Sequence, residues 1–126
     1  MPELPEVETM RRGVLPIVGR RVVAAQQPPC ERKPILLQPA IDEFDRRVRG
    51  RLITDVERLG KRVLVCLEGG LTIVIEPRMT GLVLIGDPPG PEHLRLRVRL
   101  SSDRNSMTGP DELLFWDRRG LGTVRL

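Results

Sequence analysis

The sequence predicts a mainly β fold with two helices: an antiparallel β-sandwich flanked by an N-terminal helix and one further short helix. Apolar residues alternate with polar ones along several short segments, which are separated by glycine-rich turns. Apolar residues recur at helical spacing in two places. With 126 residues the chain can bury a core without a disulfide or a metal. We therefore expect one domain over residues 1–126.

The N-terminal helix is predicted to begin near Leu4 and to run for about ten residues. Pro5 suits the first turn, where its missing N–H is no loss, and Gly13 and Pro16 mark the exit. Acidic residues precede basic residues along this segment, which is the order that the helix dipole favours. Its apolar stripe consists of Leu4, Val7, Met10 and Val14. A helix this short needs a sheet to pack on.

A strand is predicted next, over residues 17–27, where β-branched and small residues dominate. Prolines then punctuate a loop; they are Pro28, Pro29, Pro34 and Pro39. The spacing of Ile41, Phe44 and Val48 predicts the second, short helix.

The rest of the chain is predicted to be a run of hairpins. Gly69-Gly70 is the clearest turn, since apolar residues alternate on both sides of it. Strands are predicted around residues 52–56, 63–67, 71–75, 82–85, 93–100, 111–117 and 122–126. In the segment 93–100 one face is predicted to carry Leu94, Leu96, Val98 and Leu100. The opposite face is predicted to carry Arg95, Arg97 and Arg99.

The composition excludes several classes of protein. The net charge of +4 suits an anionic partner without identifying one. No apolar run reaches the roughly 18 residues of a membrane helix, and the acidic N-terminus is unlike a secretory signal. We therefore expect a cytoplasmic protein without membrane contact. Cys30 and Cys66 are too few for a zinc cage or a disulfide framework, so no metal or cofactor is expected in this chain.

The N-terminus carries a chemically distinctive pair, Pro2-Glu3. Removal of Met1 would expose a secondary amine at Pro2, and an α-amino group has a pKa of about 7.7–8.0 against about 10.4 for Lys. Such an amine is neutral far more often at pH 7, and a neutral amine attacks aldehyde carbons. Glu3 could move protons, and Glu6 lies one turn away. Taken alone, a proline here is more typical of a helix start.

The longer N-terminal string narrows the interpretation. PELPEVET over residues 2–9, followed by Arg11-Arg12-Gly13, resembles the start of bacterial formamidopyrimidine-DNA glycosylases. The resemblance implies base-excision repair of DNA, with removal of oxidised purines such as 8-oxoguanine and formamidopyrimidines. It also implies β,δ-lyase activity at abasic sites through a Schiff base on Pro2. Glu3 and Glu6 would be catalytic residues together with Pro2.

Two internal segments extend the resemblance. The sequence RLGKR over residues 58–62 resembles the family segment that supplies a lysine, so Lys61 would contact the phosphate beside the lesion and assist elimination. Met79, in the sequence Met-Thr-Gly, resembles the wedge that enters the duplex where a base has been extruded. Taken alone, Lys61 is as typical of a solvated strand end, and Met79 is more typical of a core.

Three further positions complete the proposed DNA-binding set. The sequence DRRGLG over residues 117–122 resembles a family loop, in which Arg119 would pair with the estranged base and Leu121 would occupy the place of a stacking wedge. His93 matches a DNA-contacting histidine, although a lone histidine is more often simply a surface residue.

The chain also departs from the family pattern. Glu76-Pro77-Arg78 stands where the family usually has His-Leu-Gly, Leu121 replaces a phenylalanine, and Arg95 stands where a second histidine is common. The resemblance covers only the N-terminal half of the family. The other half carries a helix-two-turns-helix element and a four-cysteine zinc finger, so the structural zinc is expected there. We accordingly expect this chain to be a fragment that is inactive or weak alone.

The leading hypothesis is therefore a bifunctional DNA glycosylase and abasic-site lyase. Its partner would be double-stranded DNA containing oxidised purines or abasic sites, and it would act as a monomer at the bacterial nucleoid. The alternative is a diverged or truncated module that binds damaged DNA without catalysis. A third hypothesis is a basic sandwich domain with a protein partner. Lyase activity from an intact terminal amine separates the first hypothesis from the other two.

Overall fold

The computed structural model describes residues 4–101 and 111–126, which form two β-sheets and two α-helices. The helices are α1 (Leu4–Val14) and α2 (Ile41–Val48). The strands are β1 (Val22–Gln26), β2 (Leu36–Gln38), β3 (Ile53–Leu59), β4 (Arg62–Leu67), β5 (Leu71–Glu76), β6 (Gly81–Ile85), β7 (Leu94–Leu100), β8 (Glu112–Asp117) and β9 (Thr123–Arg125). The strand orders are β1-β7-β8-β6 in one sheet and β2-β9-β5-β4-β3 in the other. The mainly β class with two helices is confirmed.

Both helices form where their apolar spacing predicts, but Leu4 of the predicted α1 stripe is exposed. Helix α1 buries Val7, Met10 and Val14 and packs against β6 and β3. Helix α2 buries Phe44 and Val48 completely and packs against β1. Asp45 joins α2 to β1, because its carboxylate accepts a hydrogen bond of 2.7 Å from the Ala25 N–H. That bond lowers the pKa of Asp45.

Strand β1 is shorter than the predicted segment 17–27. Residues Leu15–Ile17 form a 3₁₀ turn, in which the Val18 N–H donates to the Leu15 carbonyl. Pro16 has no N–H for a strand ladder. The chain turns once more before β1 begins at Val22. The buried Ile17 therefore belongs to the turn after α1 and not to a strand.

The five-stranded sheet contains the predicted hairpin and one strand that the sequence analysis missed. Strands β4 and β5 pair in antiparallel fashion across Gly69-Gly70. Strand β2 lies inside the predicted proline loop and pairs with β9 in parallel. The sheet is thus not wholly antiparallel. A three-residue strand that pairs with a segment so distant in sequence leaves almost no local signal.

The four-stranded sheet corrects the predicted alternation along β7. The pairing register between β7 and β8 shifts between Leu94 and Leu96. This irregularity turns Arg95 inward, and its side chain is buried. Arg97 is half-buried and Arg99 is exposed. The three arginines therefore do not share one solvent face.

The core lies between the two sheets and beneath the helices. The five-stranded sheet contributes Val63, Val65, Ile73 and Ile75. The four-stranded sheet contributes Leu96, Val98, Leu113 and Phe115. Among the described residues there is no helix long and apolar enough to cross a membrane.

A charged cluster fixes the orientation of α1 on β3. Glu8 accepts hydrogen bonds from Arg11 at 2.6 Å, from Arg12 at 2.8 Å and from Arg58 on β3 at 3.1 Å. These bonds, that of Arg11 above all, lower the pKa of Glu8 from 4.5 to about 2. The cluster therefore anchors α1, whose first turn carries Glu6, on the five-stranded sheet.

The lowered pKa of Glu8 predicts a pH-dependent contribution to stability. A carboxylate with a depressed pKa in the folded state stabilises fully above its unfolded value of 4.5, and this contribution disappears as the pH falls towards 2. We expect Glu8→Gln to lower the urea midpoint at pH 7 and the difference from the parent to close at low pH. Glu43→Gln is the control, since Glu43 has an exposed partner, Arg46, within α2. Equal pH dependence for both variants would contradict this account.

Candidate active site

An open groove lies beside the N-terminal end of α1. Its volume is about 300 Å³, and its walls come from α1, the turn between β5 and β6, and β8. The lining residues are Glu6, Met10, Met79, Thr80, Gly81, Leu82, Trp116 and Arg118. Pro2 and Glu3 lie outside the described residues, which begin at Leu4 in the first turn of α1.

The groove brings together two residues that the sequence analysis singled out. Glu6 projects from the first turn of α1, and Met79 projects from the turn between β5 and β6. Met79 is 47% exposed, which excludes the reading that it is a core residue. Met10, by contrast, is one of the residues that α1 buries. The groove thus has an acidic group and an exposed apolar side chain on the same opening.

The turn that carries Met79 is tightly folded despite its departure from the family pattern. The Gly81 N–H donates to the Pro77 carbonyl at 3.0 Å. A Cβ at Gly81 would lie 2.4 Å from that same oxygen, so only glycine fits. Pro77 is buried, and Arg78 has a φ of 53°. The turn thus has a left-handed backbone at the position where the family pattern has glycine and this chain has Arg78.

Asp117 ties the Met79 turn to the loop that carries Arg119. Its carboxylate is fully buried and accepts a bond of 2.6 Å from the Thr80 hydroxyl. It also accepts the backbone N–H groups of Arg119, at 3.2 Å, and Gly122, at 2.8 Å. Sequence reasoning missed this role. The available signal was an aspartate at the end of an apolar strand, ahead of a glycine-rich loop.

Arg95 holds the same loop from the other side. Its guanidinium donates to the carbonyls of Asp117, at 2.8 Å, and Lys33, at 2.7 Å. Gly120 packs against this pair, since a Cβ there would lie 2.3 Å from the Lys33 oxygen. Arg95 thus has a structural role in the described fold, where it supports the loop after β8.

The loop after β8 presents one arginine to the groove and another to solvent. Arg118 lines the groove, whereas the neighbouring Arg119 is exposed and is not among the lining residues. Leu121 is half-buried and also lies outside the lining. Asp117 nevertheless fixes the position of Arg119 relative to Met79. Its carboxylate accepts from the Arg119 N–H and from the hydroxyl of Thr80, the residue after Met79.

His93 packs against a groove residue that the sequence analysis did not select. It ends the 3₁₀ turn Pro91–His93, and its side chain is only 12% exposed. Its ring meets that of Trp116 edge-on, with centroids 5.5 Å apart. The Trp116 indole N–H donates to the Gly90 carbonyl at 2.9 Å. His93 is therefore not a free surface residue, and it supports the aromatic wall of the groove.

Lys61 lies in the turn between β3 and β4, is half-buried, and is not among the residues that line the groove. Within residues 4–101 and 111–126, no cluster of three or more His, Cys, Asp or Glu side chains could hold a metal ion. The groove instead offers a carboxylate, an arginine and an apolar wall.

Comparison with known proteins identifies one family over nearly the whole chain. Residues 1–124 match the sequence model of the formamidopyrimidine-DNA glycosylase N-terminal domain. The formamidopyrimidine-DNA glycosylase of Solibacter usitatus is 38% identical over 98% of this chain and 42% of its own length. That of Chloroflexus aurantiacus is 35% identical over 100% of this chain and 43% of its own. The chain thus spans about two-fifths of these relatives.

Solved structures show the same fold. The Lactococcus lactis glycosylase bound to DNA containing FAPY-dG superposes with a TM-score of 0.79 at 24% identity, over 98% of this chain and 43% of that one. MutM bound to DNA containing carbocyclic 8-oxo-G also gives a TM-score of 0.79, at 25% identity, with the same coverage of both chains.

Proposed function

This chain belongs to the formamidopyrimidine-DNA glycosylase family, and from that premise we propose that it is the catalytic half of a base-excision repair enzyme. Its substrate would be double-stranded DNA that contains oxidised purines or abasic sites. The enzyme would act as a monomer in the bacterial cytoplasm. The zinc finger that the family resemblance implies would belong to the remaining part of the full-length protein.

One observation supports this proposal more than any other. Glu6, in the first turn of α1, and the exposed Met79 line the same groove, directly beside the point where the N-terminal residues begin. A nucleotide held in this groove would contact a carboxylate and an apolar side chain, and Pro2 stands two residues ahead of Leu4, the first described residue, in the sequence. Those are the groups that an amine-based glycosylase and lyase requires.

The proposed chemistry begins at the Pro2 nitrogen. Its lone pair forms a bond to C1′ of the damaged nucleotide, and the bond from C1′ to the base breaks. The base leaves with that electron pair and takes up a proton. Opening of the sugar ring then yields a cationic iminium between Pro2 and C1′. Glu3 is proposed to move the protons, with Glu6 as a second carboxylate near the helix start.

The iminium acts as an electron sink for strand cleavage. Loss of a proton from C2′ expels the 3′ phosphate, and a second elimination expels the 5′ phosphate. Water then releases the sugar remnant and restores the amine. Lys61 is proposed to contact the phosphate beside the lesion and to assist the first proton transfer.

Extrusion of the damaged base would leave a gap that the protein must fill. Met79 is proposed to enter that gap, with Arg119 pairing with the estranged base and Leu121 alongside. Leu121 is smaller than an aromatic wedge, so Met79 would have to fill more of the gap. His93, in edge contact with Trp116, is proposed to hold the DNA-facing wall.

We expect Met79→Ala to weaken binding to a duplex with an abasic site by about ten- to a hundredfold, the value of one buried methionine side chain. Affinity for undamaged duplex should hardly change, because no gap is open there. Fluorescence anisotropy with the two duplexes measures this difference. Val23→Ala is the control, since Val23 is exposed on β1, at the sheet edge opposite to β6. Equal losses on both duplexes for Met79→Ala would argue against a wedge.

An incision assay with an 8-oxoguanine duplex tests the function itself. Base release with strand cleavage by the full-length natural protein is expected. Salt-sensitive binding without cleavage would instead favour a damaged-DNA-binding module, and absence of binding would favour a protein partner. The 126-residue chain alone should bind weakly and release no base. Specific DNA interfaces bury about 1,000–2,500 Å², and half of a clamp supplies only part of that area.

A further inference from the structure

Arg78 has an unusual backbone conformation for its residue type. Its φ is 53°, and within the described ranges it is the single residue other than glycine with a positive φ. A side chain with a Cβ is disfavoured in this left-handed region. Glycine would adopt the same turn without that cost. The arginine therefore needs a benefit that offsets the strain.

The contacts of the Arg78 side chain within the fold stabilise the protein little. The Arg78 side chain is about half exposed, and its Nε lies 3.3 Å from Oε1 of Glu76. The other oxygen of Glu76 accepts from Nε of Arg62, also at 3.3 Å. Exposed ion pairs of this kind contribute little to stability. The strained backbone at Arg78 is thus not explained by the contacts of its own side chain.

The position of Arg78 provides a better explanation. It directly precedes Met79, and the turn is anchored by the buried Pro77 and by the bond from Thr80 to Asp117. Arg78 and Met79 are adjacent in the chain and both side chains are exposed, so both are open to a strand that binds at this turn. Glu76 can release Arg78 without being left unpaired, because Arg62 remains its partner.

We propose that Arg78 binds a phosphodiester of the DNA strand that Met79 contacts, exchanging Glu76 for the phosphate. This inference rests on the proposed function. A guanidinium offers a planar fork of donors that matches phosphate oxygens. Glu76 holds the side chain near its binding position in the free protein. The strain at Arg78 is the cost of having a cation where glycine would satisfy the turn.

Two substitutions in the full-length natural protein test this proposal. Arg78→Gly removes both the charge and the strain, so we expect an unchanged or higher urea midpoint. Affinity for a duplex with a tetrahydrofuran abasic analogue should fall about tenfold. The slope of log affinity against log salt should decrease by about 0.9, the value of one lost phosphate contact. Arg78→Lys keeps the charge and should retain the parent's slope.

Arg46→Ala is the matched control, because Arg46 is exposed on α2 with a single carboxylate partner, Glu43. It should leave both affinity and slope unchanged. If the parent binds DNA and Arg78→Gly binds equally well with the same slope, the role of Arg78 is refuted while the proposed function stands. A lower urea midpoint for Arg78→Gly would also refute it. Absence of DNA binding by the parent would overturn both proposals.

Discussion

Addition of one residue before Pro2 is expected to reduce covalent trapping by borohydride on abasic-site DNA by more than about a hundredfold. The added residue turns the Pro2 nitrogen into an amide, which is not a nucleophile. The new terminal amine belongs to the added residue and is displaced by one residue from the position of Pro2. Trapping is measured as a shifted protein–DNA band on a denaturing gel.

Lys33→Arg provides the control for this experiment. Lys33 contributes its backbone carbonyl to Arg95, and that contact does not depend on its side chain. We therefore expect this variant to trap as well as the parent does. An unchanged yield for the extended protein would refute the assignment of the Schiff base to Pro2.

Asp117→Ala is expected to lower the free energy of unfolding by about 2–4 kcal/mol, because it leaves buried donors without an acceptor. The donors that lose their acceptor are the Thr80 hydroxyl and the Gly122 N–H, whereas the Arg119 N–H keeps the Thr80 hydroxyl oxygen at 3.1 Å. Loss of these bonds also releases the Met79 turn from the Arg119 loop. Preference for abasic over undamaged DNA should therefore fall. Urea unfolding and anisotropy measure the two effects.

Thr80→Val separates the two roles of Asp117. It removes the hydroxyl that donates to Asp117 and accepts from the Arg119 N–H, while keeping the size of the side chain. The bonds that Asp117 accepts from the N–H groups of Arg119 and Gly122 remain. We expect a smaller loss of stability with a comparable loss of lesion preference. In combination with Asp117→Ala, the two changes should be non-additive, since they remove the same bond. Strict additivity would contradict the proposed link.

The elements that the sequence predicted well carry local signals. Pro5 and the apolar stripe define α1, the spacing of Phe44 and Val48 defines α2, and Gly69-Gly70 defines the central hairpin. These features depend on neighbours three or four residues apart, or on one turn. They can therefore be predicted without knowledge of the tertiary structure.

The features that were missed depend on distant contacts. Strand β2 exists because it pairs with β9, and Arg95 is buried because the register of β7 shifts. The role of Asp117 depends on Thr80, which lies far away in sequence. Neither composition nor periodicity reports such pairings. The sequence could name Arg95 and Asp117 within motifs, but it could not assign their partners.

The site was predicted in part. The sequence singled out Glu6 and Met79, and the fold places both on one groove. It did not single out Trp116, because an aromatic residue in an apolar strand is usually core. The roles of Pro2, Glu3, Lys61, His93, Arg119 and Leu121 remain predictions.

Peptide mapping of the trapped complex tests the central claim most directly. Besides the terminal amine, this chain contains only the side-chain amines of Lys33 and Lys61. After trapping on abasic-site DNA, nuclease digestion and proteolysis, mass spectrometry locates the sugar remnant. We predict the remnant on the peptide that begins at Pro2, attached to its nitrogen. A remnant on the peptide containing Lys61, or no adduct on this chain, would contradict the proposed mechanism.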